Sequence, residues 1–295
     1  MTFTTRFAPS PTGPLHLGHA YSALLAAGLA DAHGGTFILR IEDIDQSRAR
    51  PAWEQQIYED LNWLGLRWRK PVLRQSDRLP RYAEALAKLS DLGLTYPCRC
   101  NRADIEAAAG APQEGVPQFG PDGRIYPGTC RNRTIAEATP QDVIRLNMAA
   151  ALSDLNELSF IETSETLGGK ISINPTHLIE AVGDVVLVRR NMGTSYHLSV
   201  VVDDAAQAIT DVVRGADLFE TTQIHVVLQT LLKVPVPRYH HHRLIRDDHG
   251  KRLAKRDDAR AIAKYRAEGA TPEDIRRMVG LPTIKETGKI SSLAP

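Results

Sequence analysis

The first 43 residues of the chain have the pattern of a strand, a helix and a second strand, and this unit restricts the fold more than any other feature. Residues 3–8 have high β-propensity and lead into a Pro-Gly turn, after which apolar residues recur with helical spacing up to Leu29. Gly34 and Gly35 end this helix, and TFILRIED at 36–43 has the composition of a strand. Because two strands joined by a helical crossover lie parallel in one sheet, we predict an α/β fold with a parallel sheet.

The rest of the chain continues this alternation with one interruption. The apolar spacing predicts helices from Pro51, over 80–92 and over 221–232, strands near 184–190, 211–215 and 239–245, and helical structure from Asp257 onward. Between 96 and 132 the pattern gives way to a stretch rich in Gly and Pro that is bracketed by cysteines, which indicates an insertion. The predicted divisions are 1–95 for the first half of the sheet domain, 96–183 for the insertion, 184–245 for the second half, where the sheet resumes, and 246–295 for a loop with a short helical segment.

Size and charge limit the class of protein further. With 295 residues and 42% hydrophobic content, the chain can bury one large core or two moderate ones. No segment approaches the ~20 uninterrupted apolar residues of a membrane span, and the N-terminal residues lack the basic-then-apolar order of a secretory signal, so we expect a cytoplasmic protein without a membrane partner. The formal net charge of +1 hides a basic run at 243–260 and a carboxylate cluster at 41–45, which allows a polyanionic partner without requiring one.

Two histidines, His16 and His19, lie three residues apart at the start of the first predicted helix, so they share one face of its first turn. A helix that follows a strand of a parallel sheet presents its N-terminal amides beyond the carboxyl end of that strand, where the helix dipole favours phosphate. Gly18 allows a base or a phosphate to approach the backbone. The simpler alternative is that one histidine caps the turn and the other is solvated. Neither Gly-x-Gly-x-x-Gly nor Gly-x(4)-Gly-Lys-Ser/Thr occurs in the chain, so a nucleotide would be held without those loops.

The three cysteines offer a second kind of chemistry. Cys98 and Cys100 are separated by one residue, too close for an easy mutual disulfide, and Cys130 follows after about 30 residues. Three thiolates at this spacing suit zinc, which would fasten the intervening loop. Because no histidine lies between His33 and His177, the insertion cannot complete a Cys3His site from its own residues. Free buried cysteines are the alternative interpretation.

Four blocks of sequence, taken in order, are similar to the glutamyl branch of the class I aminoacyl-tRNA synthetases. They are RFAPSPTGPLHLGHAYSAL at 6–24, with HLGH in place of the family's HIGH signature, LRIEDID at 39–45, YHLSVVVDDAAQAITDVVRGADL at 196–218, and RLAKR at 252–256 in place of the KMSKS loop. The resemblance implies a Rossmann-like, parallel-sheet class I catalytic domain with an inserted zinc-bearing subdomain. It also implies that ATP, accompanied by Mg²⁺, activates an amino acid whose carboxylate attacks the α-phosphate.

The resemblance assigns one group of residues to ATP. The ATP-binding residues are His16, Gly18, His19 and Lys255. The two histidines and the lysine would also be catalytic, because they stabilise the charge that develops on the phosphates, and a point cation on a closing loop suits that task. The loop departs from the family pattern, since Ala254 and Arg256 stand where serine is common.

A second group of residues forms the implied glutamate pocket. They are Arg6, Phe7, Ala8, Pro9, Ser10, Glu42, Tyr196 and Arg214. Arg6 and Arg214 would bind the side-chain carboxylate because a guanidinium fork meets two oxygens at once, and Glu42 would bind the α-ammonium. Without the motif, Glu42 would instead be assigned to a surface salt bridge with Arg48. The other carboxylates of these blocks are expected to be structural and to cap helices or pair with arginines, namely Asp43, Asp45, Asp203 and Asp204.

The C-terminal portion and the cysteines restrict the resemblance to one group within the glutamyl enzymes. About 40 residues follow the KMSKS-like loop, whereas ordinary glutamyl-tRNA synthetases carry a long helical anticodon-binding region there. A short chain with a glutamate pocket resembles the truncated glutamyl enzymes, which transfer glutamate to queuosine in the anticodon loop of tRNA(Asp). This resemblance implies L-glutamate, ATP and that loop as partners, a monomer, and one Zn²⁺ held by Cys98, Cys100, Tyr126 and Cys130.

Three alternatives stay open at this point. The chain could be a truncated synthetase that charges a 3′ end, a nucleotidyltransferase of the wider HIGH superfamily that acts on a small molecule, or a non-catalytic paralogue that serves as a binding module. The pocket arginines Arg6 and Arg214 argue against the second alternative. The presence of His16, His19 and Lys255 argues against the third.

Overall fold

The computed structural model describes residues 2–108, 117–155, 157–246 and 260–282. Its strands are β1 (Thr4–Phe7), β2 (Thr36–Ile41), β3 (Leu73–Arg74), β4 (Thr95–Cys98), β5 (Phe119–Gly120), β6 (Gly123–Arg124), β7 (Val143–Leu146), β8 (Leu158–Glu162), β9 (Gly169–Ile173), β10 (Val186–Val188), β11 (Asp211–Gly215) and β12 (Arg238–His242). Its helices are α1 (Leu17–Ala32), α2 (Pro51–Trp63), α3 (Leu79–Asp91), α4 (Arg102–Ala108), α5 (Met148–Leu152), α6 (Pro175–His177), α7 (Tyr196–Ala206), α8 (Thr221–Leu231), α9 (Ile262–Ala267) and α10 (Pro272–Met278). A π-helical turn at Leu178–Val182 continues α6.

The N-terminal strand–helix–strand unit is present as predicted. β1 pairs in parallel with β2, so that Thr4 lies opposite Thr36 and Phe7 opposite Leu39, and β3 continues the sheet in parallel on the other side of β2. The helix α1 crosses between the two strands and ends before Gly34, whose φ of +59° lies in the left-handed region that glycine adopts without strain. The predicted parallel sheet is therefore confirmed.

A second parallel group extends this sheet. β11 pairs in parallel with β12, β12 pairs in parallel with β8, and β9 closes the edge as an antiparallel strand. β11 lies beside β1, where the Thr210 N–H donates to the Thr4 carbonyl at 3.0 Å. The predicted strand at 211–215 and the predicted helices over 80–92 and 221–232 are confirmed within one residue at each end.

The insertion contains a separate small sheet, and one prediction fails there. β4, β7 and β10 form an antiparallel sheet in the order β10-β7-β4. The strand predicted near 184–190 therefore does not resume the parallel sheet, because Val186 pairs with Arg145 of β7 instead. A short apolar run indicates a buried strand but carries no information about its partner. Conversely, β8 lies within the predicted insertion and pairs with the main sheet.

Apolar side chains form two large cores and one small one. One large core packs α1 against β1 and β2 around Leu24 and Leu39, and the other packs α3, α7 and α8 together around Leu198 and Leu228. The small core belongs to the insertion and consists of Tyr96, Cys98, Tyr126 and Cys130. Among the residues that the structure describes, no helix has both the length and the apolar character needed to cross a membrane.

Candidate active site

A cavity of about 390 Å³ opens at the carboxyl ends of β1, β2, β11 and β12, the edge where ligands bind in open parallel sheets. The predicted site residues that line it are Arg6, Phe7, Ala8, His16, Gly18, His19, Glu42, Tyr196 and Arg214. Pro9 and Ser10 follow Ala8 after the end of β1 but do not line the cavity, and the Pro9 carbonyl accepts the Glu42 N–H at 3.0 Å. The fold therefore brings most of the residues predicted to bind ATP and most of those predicted to bind glutamate into one cavity.

The two histidines cap α1 and line the cavity at the same time. His16 is the N-cap, its Nδ1 accepts the Gly18 N–H at 3.1 Å, and the His19 Nδ1 accepts the His16 N–H at 3.1 Å. Because each neutral ring accepts at Nδ1, its proton lies on Nε2, and each Nε2 is a hydrogen-bond donor. The histidines therefore cap the helix, as the simpler alternative proposed, and they also line the cavity in which a phosphate was predicted to bind.

Gly18 leaves room for an imidazole. A Cβ on this residue would lie 3.0 Å from the His16 Cε1 and 3.1 Å from its Nδ1, which is tighter than ordinary side-chain contacts. The rings of His16 and His19 lie 3.8 Å apart between centroids. The small residue therefore allows the two histidines to lie side by side at the end of the helix.

The chain returns to the histidine turn after residue 259. Ala261 forms an antiparallel bridge with His16, and the Ile262 N–H donates to the Leu15 carbonyl at 2.8 Å. On the other side, Leu244 lines the cavity. Lys255, with its neighbours Ala254 and Arg256, lies outside the described residues.

A buried network of charges forms the floor of the pocket next to β1 and β2. Asp204 accepts from Arg6 Nε at 3.0 Å and from Arg40 Nη1 at 2.7 Å, and Arg40 Nη2 donates to Glu42 at 3.0 Å. The expectation that Asp204 pairs with arginines is confirmed. The alternative of an ion pair between Glu42 and Arg48 is wrong, because the partner of Glu42 is Arg40.

The pKa values in this network follow from burial and from the alternation of charge. Burial works against the ionised form of Asp204, but Arg6 and Arg40 outweigh it and hold the pKa of this carboxyl below its ordinary value. For Glu42 burial is the stronger effect, and it raises the pKa against the opposing charges of Arg40 and Arg6. Ionised Glu42 is therefore the more costly carboxylate of the two, and a cation bound beside it would relieve that cost.

Arg214 lies on the opposite side of the cavity, on β11, and is surrounded by neutral groups. Its Nε donates to His241 Nε2 at 3.2 Å, its Nη1 donates to His225 Nδ1 at 3.2 Å, and its Nη2 donates to Thr222 Oγ1 at 2.6 Å. Its guanidinium also lies over the ring of Tyr239, 5.1 Å from the centroid. Across the described parts of the chain, no carboxylate forms an ion pair with Arg214, although the residue is 95% buried.

Tyr196 stands beside this arginine as the first residue of α7. Its ring meets the edge of the His225 ring with centroids 5.5 Å apart. Burial raises the pKa of its hydroxyl, so the phenol keeps its proton and remains a hydrogen-bond donor toward the pocket.

The cysteines converge in the small core of the insertion. The three Sγ atoms lie within 4.8 Å of one another, and the Tyr126 hydroxyl oxygen lies 3.3 Å from Cys98 Sγ and 3.4 Å from Cys100 Sγ. Tetrahedral zinc with Zn–S bonds of about 2.3 Å places its donor atoms roughly 3.5–3.8 Å apart. Burial raises the pKa of the Tyr126 hydroxyl, and the Cys130 backbone N–H, which donates to this oxygen at 2.8 Å, opposes that effect. The four donor atoms therefore fit a tetrahedral metal ion.

Several residues of the cavity were absent from the sequence predictions. They are Ser22, Val213, Gly215, Asp217, Leu218, His242, Leu244 and Ile245. Most of them follow or end β11 and β12, so the rule that ligands bind beyond the carboxyl ends of parallel strands could have identified them once those strands were predicted. His225 and His241, which contact Arg214, carry no local sequence signal because their distance from it depends on the tertiary fold.

The comparisons with known proteins agree with this geometry. The model of the catalytic domain of class I tRNA synthetases for Glu and Gln matches residues 2–291. The chain is 62% identical over 280 residues to a glutamyl-Q tRNA(Asp) synthetase of Rhodobacter capsulatus, covering 94% of this chain and 99% of that protein. It is 42% identical to a protein of the same name from Nocardia farcinica, covering 94% of this chain and 85% of the relative.

Solved structures give the same fold. A glutamate tRNA ligase of Elizabethkingia meningosepticum in complex with its amino acid superposes with a TM-score of 0.74 at 27% identity. That match covers 99% of this chain and 63% of the longer protein, so the chain spans just under two thirds of that solved synthetase. Methionyl-tRNA synthetase of Mycobacterium tuberculosis matches with a TM-score of 0.55 at 11% identity, which shows a shared fold alone.

Proposed function

The chain belongs to the family of class I glutamyl- and glutaminyl-tRNA synthetase catalytic domains, and on that premise we propose that it activates L-glutamate with ATP and transfers the glutamyl group to queuosine in the anticodon loop of tRNA(Asp). The observation that carries this proposal is one cavity with two histidine donors at one side and Arg214, buried among neutral groups, at the other. The relatives that carry the name of that reaction, each matched over 94% of this chain, support the choice of acceptor.

Arg214 binds the side-chain carboxylate of glutamate. Its guanidinium donates to two imidazoles and a hydroxyl, and none of these groups cancels its charge. A carboxylate restores the missing counter-charge, whereas the amide of glutamine leaves a buried cation unpaired. Arg6 contributes differently, because Asp204 already accepts two of its hydrogen bonds, and its remaining donors orient the substrate without supplying most of the charge.

Glu42 binds the α-ammonium group. Its carboxylate lines the cavity, and its pKa is raised mainly by burial, so a bound ammonium stabilises the ionised form. Tyr196 closes the pocket between this carboxylate and Arg214, and its protonated hydroxyl donates to the substrate. The amino acid is thereby held at both ends, which leaves its α-carboxylate directed toward the histidine turn.

The activation step is a displacement at phosphorus. A carboxylate oxygen of glutamate forms a bond to the α-phosphorus of ATP, the bond to the bridging oxygen of the β-phosphate breaks, and pyrophosphate leaves. The Nε2 donors of His16 and His19, at the N-terminus of α1, stabilise the negative charge on the phosphate oxygens. We propose that Lys255 stabilises the same negative charge on the phosphate oxygens. Mg²⁺ enters the site together with ATP, as part of the substrate.

The transfer step uses the mixed anhydride. A hydroxyl oxygen of the queuosine ring attacks the glutamyl carbonyl, the bond to AMP breaks, and the hydroxyl proton leaves with the departing phosphate or with water. Four arginines that line two further cavities supply cations for the phosphates of the RNA, namely Arg99, Arg124, Arg189 and Arg190.

We propose that one Zn²⁺ joins Cys98, Cys100, Cys130 and Tyr126. The fit of the four donor atoms supports this assignment. Metal bound at this point would fasten β4 to the segment after β6 and would supply stability to the insertion rather than chemistry to the reaction.

Charging of defined RNAs with labelled glutamate tests the function. We expect label on tRNA(Asp) that contains queuosine and none on the same tRNA prepared without queuosine, and we expect glutamate-dependent pyrophosphate exchange without any RNA. Charging of tRNA(Glu) at its 3′ end would support the truncated synthetase instead. Glutamate-independent nucleotidyl transfer to a small molecule, or no exchange at all, would point to one of the remaining alternatives.

A further inference from the structure

Arg214 is anchored by two chains of hydrogen bonds that run away from the cavity through histidines and end in carboxylates. The Glu162 chain runs from Arg214 through His241 to Glu162, and the Asp122 chain runs from Arg214 through His225 and His197 to Asp122. The three imidazole rings and the two carboxylates behind them lie outside the set of residues that the family resemblance assigns to the pocket.

The Glu162 chain has only one consistent arrangement of protons. A guanidinium donates and never accepts, so His241 Nε2 must accept from Arg214 Nε, and the ring proton lies on Nδ1. That Nδ1–H donates to Glu162 Oε2 at 2.5 Å. Glu162 Oε1 in turn accepts the backbone N–H of His241 at 3.0 Å and of Ser164 at 2.9 Å. Both nitrogens of the His241 ring therefore have partners, and Thr222 Oγ1 lies 3.0 Å from the same Nε2 that accepts from Arg214.

The Asp122 chain is equally determined and is longer. His225 Nδ1 accepts from Arg214 Nη1, so its proton lies on Nε2, which donates to His197 Nδ1 at 3.3 Å. His197 then carries its proton on Nε2 and donates it to Asp122 Oδ1 at 3.1 Å. The chain crosses from β11 through α8 and α7 to the turn between β5 and β6, which belongs to the insertion.

The turn that carries Asp122 is itself held in place. Gly120 packs so closely against the Ala181 carbonyl that a Cβ would overlap with that oxygen. The side chain of Asp122 is three quarters buried between this hairpin and His197. The insertion therefore contributes the terminal acceptor of a chain that begins at the glutamate pocket.

We infer that the Glu162 and Asp122 chains give the pocket its specificity for glutamate. The positioning residues are His241, His225, His197 and Asp122. They hold the Arg214 guanidinium in one orientation while leaving its positive charge for the substrate. A carboxylate placed directly against this guanidinium would fix it equally well but would neutralise it, as Asp204 does for Arg6. A neutral imidazole accepts the hydrogen bond without cancelling the charge of Arg214. The negative charge lies farther away, behind one ring for Glu162 and behind two rings for Asp122. Glutamate is preferred over glutamine because of that spacing.

The inference rests on the proposed binding of glutamate and is tested by calorimetry with L-glutamate alone. His225→Leu removes the acceptor for Arg214, and we expect the Kd for glutamate to rise about 10- to 100-fold. His225→Asn keeps an oxygen at the position of Nδ1, and most of the affinity should return. Asp122→Ala, remote from the cavity, should raise the Kd by about 3- to 10-fold, whereas the matched control Asp142→Ala, which removes a buried carboxylate of the insertion bound to Arg133, should leave it unchanged.

The outcomes separate this inference from the proposed function. Parallel measurements of pyrophosphate exchange should show these losses in the KM for glutamate, with kcat and the KM for ATP unchanged, which a general loss of folding would not produce. Unaltered glutamate affinity in Asp122→Ala, or equal losses in Asp122→Ala and Asp142→Ala, would overturn the inference, as would a lack of glutamate binding by the unmodified chain. Normal binding with the expected pattern but no transfer to queuosine would contradict the proposed acceptor only.

Discussion

Arg6 and Asp204 face each other through two parallel hydrogen bonds, from Nε to Oδ1 at 3.0 Å and from Nη2 to Oδ2 at 3.3 Å. Arg40 donates to the same Oδ1 and also to Glu42, so two carboxylates balance two buried guanidinium groups. The arginines of the pocket therefore divide into a neutralised pair beneath the substrate and Arg214 across from it. The first two predictions test this division.

Asp204→Asn should destabilise the whole chain, because it leaves two buried guanidinium groups short of a counter-charge. Loss of one partner of a buried ion pair costs about 3–5 kcal/mol, and we expect a decrease of that size in the free energy of unfolding. Urea titration followed by circular dichroism measures it. Asp91→Asn, at the exposed end of α3, is the control and should unfold like the original chain. Equal stability of the two variants would mean that Asp204 is not needed to compensate the arginines.

Arg214→Ala should damage the use of glutamate and spare the use of ATP. A lost charge-assisted pair with the side-chain carboxylate is worth roughly 2–4 kcal/mol, which corresponds to about a 30- to 1000-fold lower kcat/KM for glutamate. Pyrophosphate exchange across both substrate concentrations measures this, with Arg81→Ala, an exposed arginine of α3, as the control. An Arg214 variant with normal glutamate affinity would show that the pocket is assigned wrongly.

Two variants of His19 separate its structural role from its role toward ATP. His19→Asn keeps an oxygen where Nδ1 accepts the His16 N–H, but it lacks the Nε2 donor. His19→Ala loses both. We expect both variants to lower the maximal rate of exchange on the order of 100-fold, and only the alanine variant to lower the melting temperature as well. Full activity of His19→Asn would show that the histidine matters only as a cap.

Purified protein should contain one zinc per chain by elemental analysis, and Tyr126→Phe should release it to a chelator at least about tenfold more readily. Cys98→Ala should lower the transfer to RNA more than the activation of glutamate, since Arg190, assigned to the RNA, donates directly to the Cys100 carbonyl, whereas the link to the glutamate pocket runs through the remote Asp122. Phe119→Ala, at an exposed position of the same insertion, serves as the control. Protein purified without chelator that contains no zinc would contradict the site.

Mild acid should weaken the fold through His225. Burial, followed by the positive charge of Arg214, holds the pKa of this histidine well below its ordinary value of 6.5, and His197 and His241 add to the effect. Below that value the unfolded chain binds a proton that the folded chain does not, so stability is complete above about pH 6.5 and falls as the pH decreases. The pH dependence of the free energy of unfolding should be shallower in His225→Asn than in the control His177→Asn, which changes an exposed histidine. Equal slopes would show that His225 does not contribute.

The sequence predicts the parts of the fold that depend on local pattern. The first strand–helix–strand unit, β11 and α8 follow from periodicity, and the family resemblance places Arg6, His16 and Glu42 correctly enough for all three to line one cavity. A cytoplasmic address and a monomeric state stay predictions.

The pairing of strands, and the residues that contact Arg214 from behind, could not be predicted from local pattern. β10 has the composition of any buried strand, and its antiparallel partner β7 is about 40 residues away. His241 and His225 are separated from Arg214 by 27 and 11 residues, and only the packing of α8 and β12 against β11 brings them to its guanidinium. Local patterns report which residues are buried, and tertiary structure decides which of them meet.

The bridge between His16 and Ala261 has a consequence for biosynthesis. The first helix turn leaves the ribosome early, yet its backbone partner in this bridge lies 245 residues later in the chain. Domains generally fold during synthesis from the N-terminus onward, and a nascent chain of this protein would hold its two histidines without the bridge from Ala261 to His16. The histidine turn thus gains this backbone support only after 245 further residues have been synthesised, so shorter nascent chains hold the proposed nucleotide site without it.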